Sequence, residues 1–224
     1  MASPPPAPAP VFPEAIAQRL RSTRLVAGFS TETPEDAVAT AKAILAGGID
    51  ALEVTLRTAD AVAGIRAIAE ELPDVLLGVG TILTPEQVRR VKDAGAHFGV
   101  SPGLSMDVIE AAAECGLPYA PGIATPSELT QAVNAGSRLV KLFPAANLGG
   151  VPYLKSIAAP FASLGVEYFP FGGVNRDNMQ DYLAQPEVIA VGGTWLAPKA
   201  MIQNQQWDQI TEAVKESVDA LGNQ

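Results

Sequence analysis

The chain of 224 residues is 48% hydrophobic and 17% charged, enough to bury one domain-sized core and too apolar for a disordered chain. Its formal net charge of -9 argues against nucleic-acid or anionic-membrane partners, which need a basic face. A single cysteine, Cys115, and a single histidine, His97, exclude an intrachain disulfide, a multi-cysteine metal site and a zinc site built on several histidines.

The first ten residues are small residues and proline with no basic or apolar region, a poor signal peptide. Residues 1–13 read as a flexible, proline-rich lead-in, and residues 14–224 as a single domain. No stretch approaches the roughly 20 apolar residues that span a bilayer, and the lone cysteine suits a reducing cytoplasm. Beyond Pro13, alanine-rich segments with helical spacing alternate with apolar runs at 24–29, 50–56, 75–80, 97–101, 117–120, 138–143, 166–171 and 187–192. Thr33-Pro34, Thr84-Pro85 and Thr125-Pro126 each offer an N-cap hydroxyl followed by proline at the first helical position. Gly47-Gly48, Gly95, Gly116, Gly136 and Gly165 stand where helices should end.

Strands buried on both faces and separated by helices imply a parallel sheet, so the class is α/β. Eight such units predict a single compact (β/α)₈ TIM barrel. An open doubly wound sheet would carry a G-x-G-x-x-G turn after its first strand, and Gly28-Phe29-Ser30 offers none.

In a barrel the chemistry sits at the C-terminal ends of the strands. The second run, Asp50 to Arg57, places Leu52, Val54 and Leu56 on one face and Glu53, Thr55 and Arg57 on the other, toward the axis. A carboxylate there is costly unless paired or used. Of the six lysines, only Lys141 has apolar neighbours on both sides within a strand. Burial and a nearby cation such as Arg57 both favour a lysine's free amine, the nucleophile of Schiff-base chemistry. A structural pair, Lys141 neutralising Glu53, is the alternative. Gly172-Gly173 and Gly192-Gly193-Thr194 follow the last two strands, where backbone amides commonly cradle phosphate. His97 opens the fourth strand, at the end of a barrel associated with stability, while Cys115, Trp195 and Trp207 read as packing residues.

Seven ordered stretches then carry a resemblance: Leu52-Glu53-Val54-Thr55-Leu56-Arg57-Thr58, Gly78-Val79-Gly80-Thr81, Ser101-Pro102-Gly103, Pro121-Gly122-Ile123, Val140-Lys141-Leu142-Phe143-Pro144-Ala145, Gly172-Gly173-Val174 and Gly192-Gly193-Thr194-Trp195-Leu196. From about Glu14 onward the sequence resembles the 2-keto-3-deoxy-6-phosphogluconate (KDPG) and 2-keto-4-hydroxyglutarate aldolases. The resemblance implies a class I aldolase that reversibly cleaves KDPG to pyruvate and glyceraldehyde 3-phosphate. Within it, Lys141 would form the iminium and Glu53 would act as general acid and base through a water. Arg57 and Thr81 would hold the pyruvate carboxylate, Pro102 and Phe143 would wall the pocket, and Gly172, Gly173, Gly193 and Thr194 would take the phosphate. No metal or cofactor is implied, and the family is usually a homotrimer.

Two departures stand out. Ala27-Gly28 replaces the family's usual Pro-Val, and Phe171 replaces a threonine that lies beside the substrate's hydroxyls. The galactonate epimer and 2-keto-4-hydroxyglutarate therefore remain alternative substrates, and a phosphosugar isomerase or epimerase is the alternative of another class.

Overall fold

The computed structural model describes residues 12–222, so the proline-rich lead-in lies, up to Val11, outside the described residues. The three Thr-Pro signals open helices as expected: α2 (Pro34–Ala46), α4 (Pro85–Asp93) and α6 (Pro126–Asn134). Each threonine hydroxyl accepts the amide three residues on, and at Thr84 and Thr125 the side chains of Gln87 and Glu128 reach back to complete capping boxes. Each such cap stabilises its helix by about 1 kcal/mol. The remaining helices are α1 (Glu14–Thr23), α3 (Ala61–Glu71), α5 (Met106–Cys115), α7 (Gly150–Ala158), α8 (Met179–Leu183), α9 (Lys199–Gln203) and α10 (Trp207–Gly222). Helix α5 ends on Gly116 at φ 64°, a left-handed conformation that glycine adopts without a Cβ penalty.

All strand pairings are parallel. The strands are β1 (Leu25–Phe29), β2 (Ala51–Thr55), β3 (Leu76–Gly80), β4 (Phe98–Val100), β5 (Tyr119–Ala120), β6 (Gly122–Ile123), β7 (Leu139–Leu142), β8 (Glu167–Pro170) and β9 (Val191–Gly193). They form a curled sheet in two sections, a half-barrel ordered β5-β4-β3-β2-β1-β9 and a three-stranded section ordered β6-β7-β8. The fifth expected strand is thus two short pieces. Pro121, which has no N–H for a ladder, separates β5, paired with β4, from β6, paired with β7. The eighth expected strand is regular only over β9, preceded by an isolated bridge between Tyr168 and Val188.

Two apolar clusters follow from strand alternation. Leu25, Leu52, Val54, Leu77 and Val79 face the helices, whereas Val26, Ala51, Leu76, Phe98, Leu139, Phe169 and Ile189 face the axis. The axis is too narrow for a large side chain on every strand. Phe98 lies over Gly78, Phe171 over Gly192 and the Glu53 carboxylate over Gly80, and a methyl group on any of those glycines would overlap its neighbour. Helix α1, which the sequence pattern did not reveal, caps the N-terminal end of the axis. Its Leu20 and Ile16, with Phe12 ahead of it, pack onto the inner cluster. Arg19 holds Asp50 at 2.7 Å and Arg21 holds Glu167 at 2.7 Å, tying α1 to the starts of β2 and β8. The open end is therefore the C-terminal one. Among the described residues no helix is long and apolar enough to cross a membrane.

Candidate active site

Strand β2 delivers Glu53 and Thr55, and β7 delivers Lys141, to the floor of a cavity of about 600 Å³ at that open end. Lys141 Nζ donates to Glu53 Oε1 at 2.7 Å, and the two residues are 5% and 2% exposed. The same ammonium sits 4.2 Å from the ring centroid of Phe171 and 5.6 Å from that of Phe143. Phe171 is fixed in turn by an edge-on contact with Phe169 at 4.6 Å and by its seat over Gly192. Among the described residues Glu53 Oε2 accepts no hydrogen bond and Lys141 Nζ donates only one, so both keep bonding capacity for a ligand. Burying such a pair costs several kcal/mol of desolvation per ion, which argues for use rather than for stability.

Gly172 and Gly173 follow β8 at φ 88° and 77°, left-handed values that only glycine tolerates cheaply in succession. Their carbonyls accept from Ala146 N and Asn178 Nδ2, but their amides donate to nothing among the described residues. Uncommitted amides at a cavity wall suit an anion. Gly193 and Thr194 line the same cavity. Gly192 does not line it and instead leaves room for Phe171.

The cavity thus gathers Glu53, Lys141, Arg57, Phe143, Phe171, Gly172, Gly173, Gly193 and Thr194. Thr81 and Pro102 follow β3 and β4 at the same end of the sheet but are not among the lining residues. Thr81 has φ 62°, an unfavourable conformation for a β-branched residue, costing on the order of 1–3 kcal/mol. Pro102 belongs to a turn held by Ser101, whose hydroxyl donates to Gly103 O and accepts from Gly122 N. Sequence reasoning missed Asn175, Trp195 and Lys199 as lining residues, and passed over Thr55 although it had placed that residue on the inward face. The Thr55 hydroxyl bonds Ser30 Oγ at 2.8 Å and Phe29 O at 3.2 Å.

Among the described residues no histidine or tyrosine lines the cavity. His97 lies at the opposite end of the sheet, where its Nδ1 accepts from Leu77 N. Burial, then the charges of Arg19 and Lys92, hold it below the ordinary imidazole value. The ionisable side chains that line the cavity are those of Glu53, Arg57, Lys141 and Lys199.

A buried lysine–carboxylate pair thus lies at the C-terminal edge of a curled parallel α/β sheet, in one cavity with glycine amides that donate to nothing among the described residues. A model of the "KDPG and KHG aldolase" family matches residues 16–213. The KHG/KDPG aldolase of Escherichia coli (strain K12) is 45% identical over 185 residues, covering 83% of this chain and 86% of that protein. The 2-dehydro-3-deoxy-phosphogluconate aldolase of Treponema pallidum (strain Nichols) is 39% identical over 207 residues, covering 92% and 98%. Among solved structures, KDPG aldolase from Legionella pneumophila, with pyruvate captured at low pH as a covalent carbinolamine intermediate, superposes with a TM-score of 0.86 at 38% identity, covering 90% of this chain and 97% of that one. The chain belongs to the KDPG and KHG aldolase family.

Proposed function

We propose that this chain is a class I aldolase that reversibly cleaves 2-keto-3-deoxy-6-phosphogluconate to pyruvate and glyceraldehyde 3-phosphate, with Lys141 as nucleophile and Glu53 as acid and base. The carrying observation is the 2.7 Å contact between these two buried groups. A proton passing along that hydrogen bond from Nζ to Oε1 leaves a free amine beside a carboxylic acid. The amine adds to the C2 ketone, and the resulting carbinolamine loses its hydroxyl as water with the acid's proton, giving a protonated imine. Glu53, now a carboxylate, takes the C4 hydroxyl proton. The C3–C4 electron pair flows into the imine, releasing the aldehyde and leaving an enamine. Protonation at C3 and addition of water free pyruvate and restore the amine.

The carbinolamine captured in the Legionella relative supports the first step. Arg57, exposed at the mouth and without an acidic partner among the described residues, suits the substrate carboxylate. The amides of Gly172 and Gly173, with Gly193 and Thr194, suit the phosphate. Roles for Thr81 at the carboxylate and for Pro102 and Phe143 as walls complete this reading, with Phe171 beside the substrate's hydroxyls.

The same reading takes residues 14–224 as one catalytic domain behind a flexible lead-in, in a reducing cytoplasm that suits the lone Cys115, assembled as a homotrimer. It also takes the two sheet sections as one closed eight-stranded barrel. The support is that a single residue, Pro121, separates β5 from β6, and that a bridge from Phe171 to Gly192 joins the end of β8 to β9.

Borohydride reduction in the presence of pyruvate, followed by peptide mapping, is expected to leave reduced pyruvate on Lys141. A folded protein with no adduct there would sink the aldolase assignment.

A further inference from the structure

Gly172 and Gly173 offer a phosphate oriented donors but no full charge, and a phosphomonoester carries between one and two negative charges near neutral pH. The cavity holds three cations, Arg57, Lys141 and Lys199. Lys141 is committed to Glu53 and to the chemistry. Arg57 extends β2, which lies two strand spacings, about 10 Å, from β9 across β1. Lys199 follows β9 itself, the strand that Phe171, at the end of β8, bridges through Gly192. By topology it is the cation on the glycine side.

Its ammonium is held at 3.2 Å by Glu32, which stands outside the cavity lining. Both backbones are anchored. Thr31 O accepts from Thr58 Oγ1, and Thr33 caps α2 on the other side of Glu32. Pro198 O accepts the amides of Met201 and Ile202 beside Lys199. The pair itself, however, is 61% and 57% exposed. An exposed lysine–carboxylate pair is weak and exchanges readily, whereas a phosphate that is also bound by backbone amides attracts the same ammonium more strongly.

We propose that Lys199 is a binding residue for the substrate's phosphate, tethered by Glu32 until the anion displaces that carboxylate, and so a determinant of preference for phosphorylated substrates. The proposal rests on the aldolase assignment for its kinetic arm only. Lys199→Ala is expected to raise KM for 2-keto-3-deoxy-6-phosphogluconate about five- to tenfold, the loss typical of one charge-assisted contact in a wet site. For 2-keto-4-hydroxyglutarate, which has no phosphate, the rise should be about twofold or less, because no such contact is lost. Lys199→Arg should recover most of the difference, and Glu32→Gln should lower KM for the phosphorylated substrate.

A second arm needs no turnover. Inorganic phosphate, titrated at constant ionic strength, should raise the melting temperature of the wild type at concentrations where Lys199→Ala barely responds, and that of Glu32→Gln at lower concentrations still. Equal changes in KM for both substrates, an unaltered phosphate response in Lys199→Ala, or weaker phosphate binding in Glu32→Gln would each overturn the exchange. If the wild type cleaves neither substrate, the aldolase assignment has failed, and the phosphate titration still decides the role of Lys199.

Discussion

Lys141 and Glu53 each depend on the other for being charged inside the sheet. Removing one member of a buried pair strands the other, at a cost of about 3–5 kcal/mol, whereas replacing both by neutral groups is often tolerated. Lys141→Met is therefore expected to lose both cleavage activity and about that much stability in urea denaturation, and adding Glu53→Gln should restore most of the stability and none of the activity. A Lys141→Met protein as stable as wild type would show that the ion pair is not what the fold holds there. The pair was legible in sequence because a charge inside an apolar run breaks the pattern of a buried strand. Lys199 gave no such signal. Its partner Glu32 is 167 positions away, and a lysine among polar neighbours looks the same whether it faces solvent or a cavity.

At the scale of elements, the Thr-Pro caps and the glycine stops marked α2, α4, α5 and α6, because a cap is a local interaction. Helix α1 escaped because Pro13 offers no side-chain acceptor at its start and its role is tertiary, closing the axis with Leu20 and Ile16. The split of the fifth strand was written in Pro121, yet only pairing with different neighbours makes two strands of it. The junction of β3 and β4 also holds the chain's one histidine. His97 accepts from Leu77 N through Nδ1, which only an unprotonated nitrogen can do, and burial with Arg19 and Lys92 lowers its folded-state value below the ordinary 6.5. Above that value both folded and unfolded states hold a neutral ring. As pH falls below it the unfolded chain takes the proton first, so stability declines until the folded-state value is passed. Urea denaturation between pH 7 and pH 5 should accordingly show a shallower decline for His97→Gln than for wild type, and identical slopes would remove His97 from the account.

For the whole molecule, 24 acidic residues against 15 lysines and arginines leave a net charge of -9 that repels itself and any anionic substrate. The cavity mouth is an exception to this field, because among the described residues Arg57 has no acidic partner and Lys199 has only an exposed one. Salt acts on both. Raising ionic strength to about 0.15 M shortens the Debye length to roughly 8 Å, which damps the diffuse repulsion among surface carboxylates. The same screening weakens the attraction between an exposed cation and a ligand anion. Sodium chloride is therefore expected to raise the melting temperature while also raising KM for the phosphorylated substrate. Thermal melts and initial rates across one salt series test the two signs together. A falling melting temperature would place the dominant electrostatics in the ion pairs that join the elements, such as Arg19 with Asp50 and Arg21 with Glu167, and not in the net charge. A KM indifferent to salt would mean that the backbone amides of Gly172 and Gly173, and not the cations at the mouth, account for anion affinity.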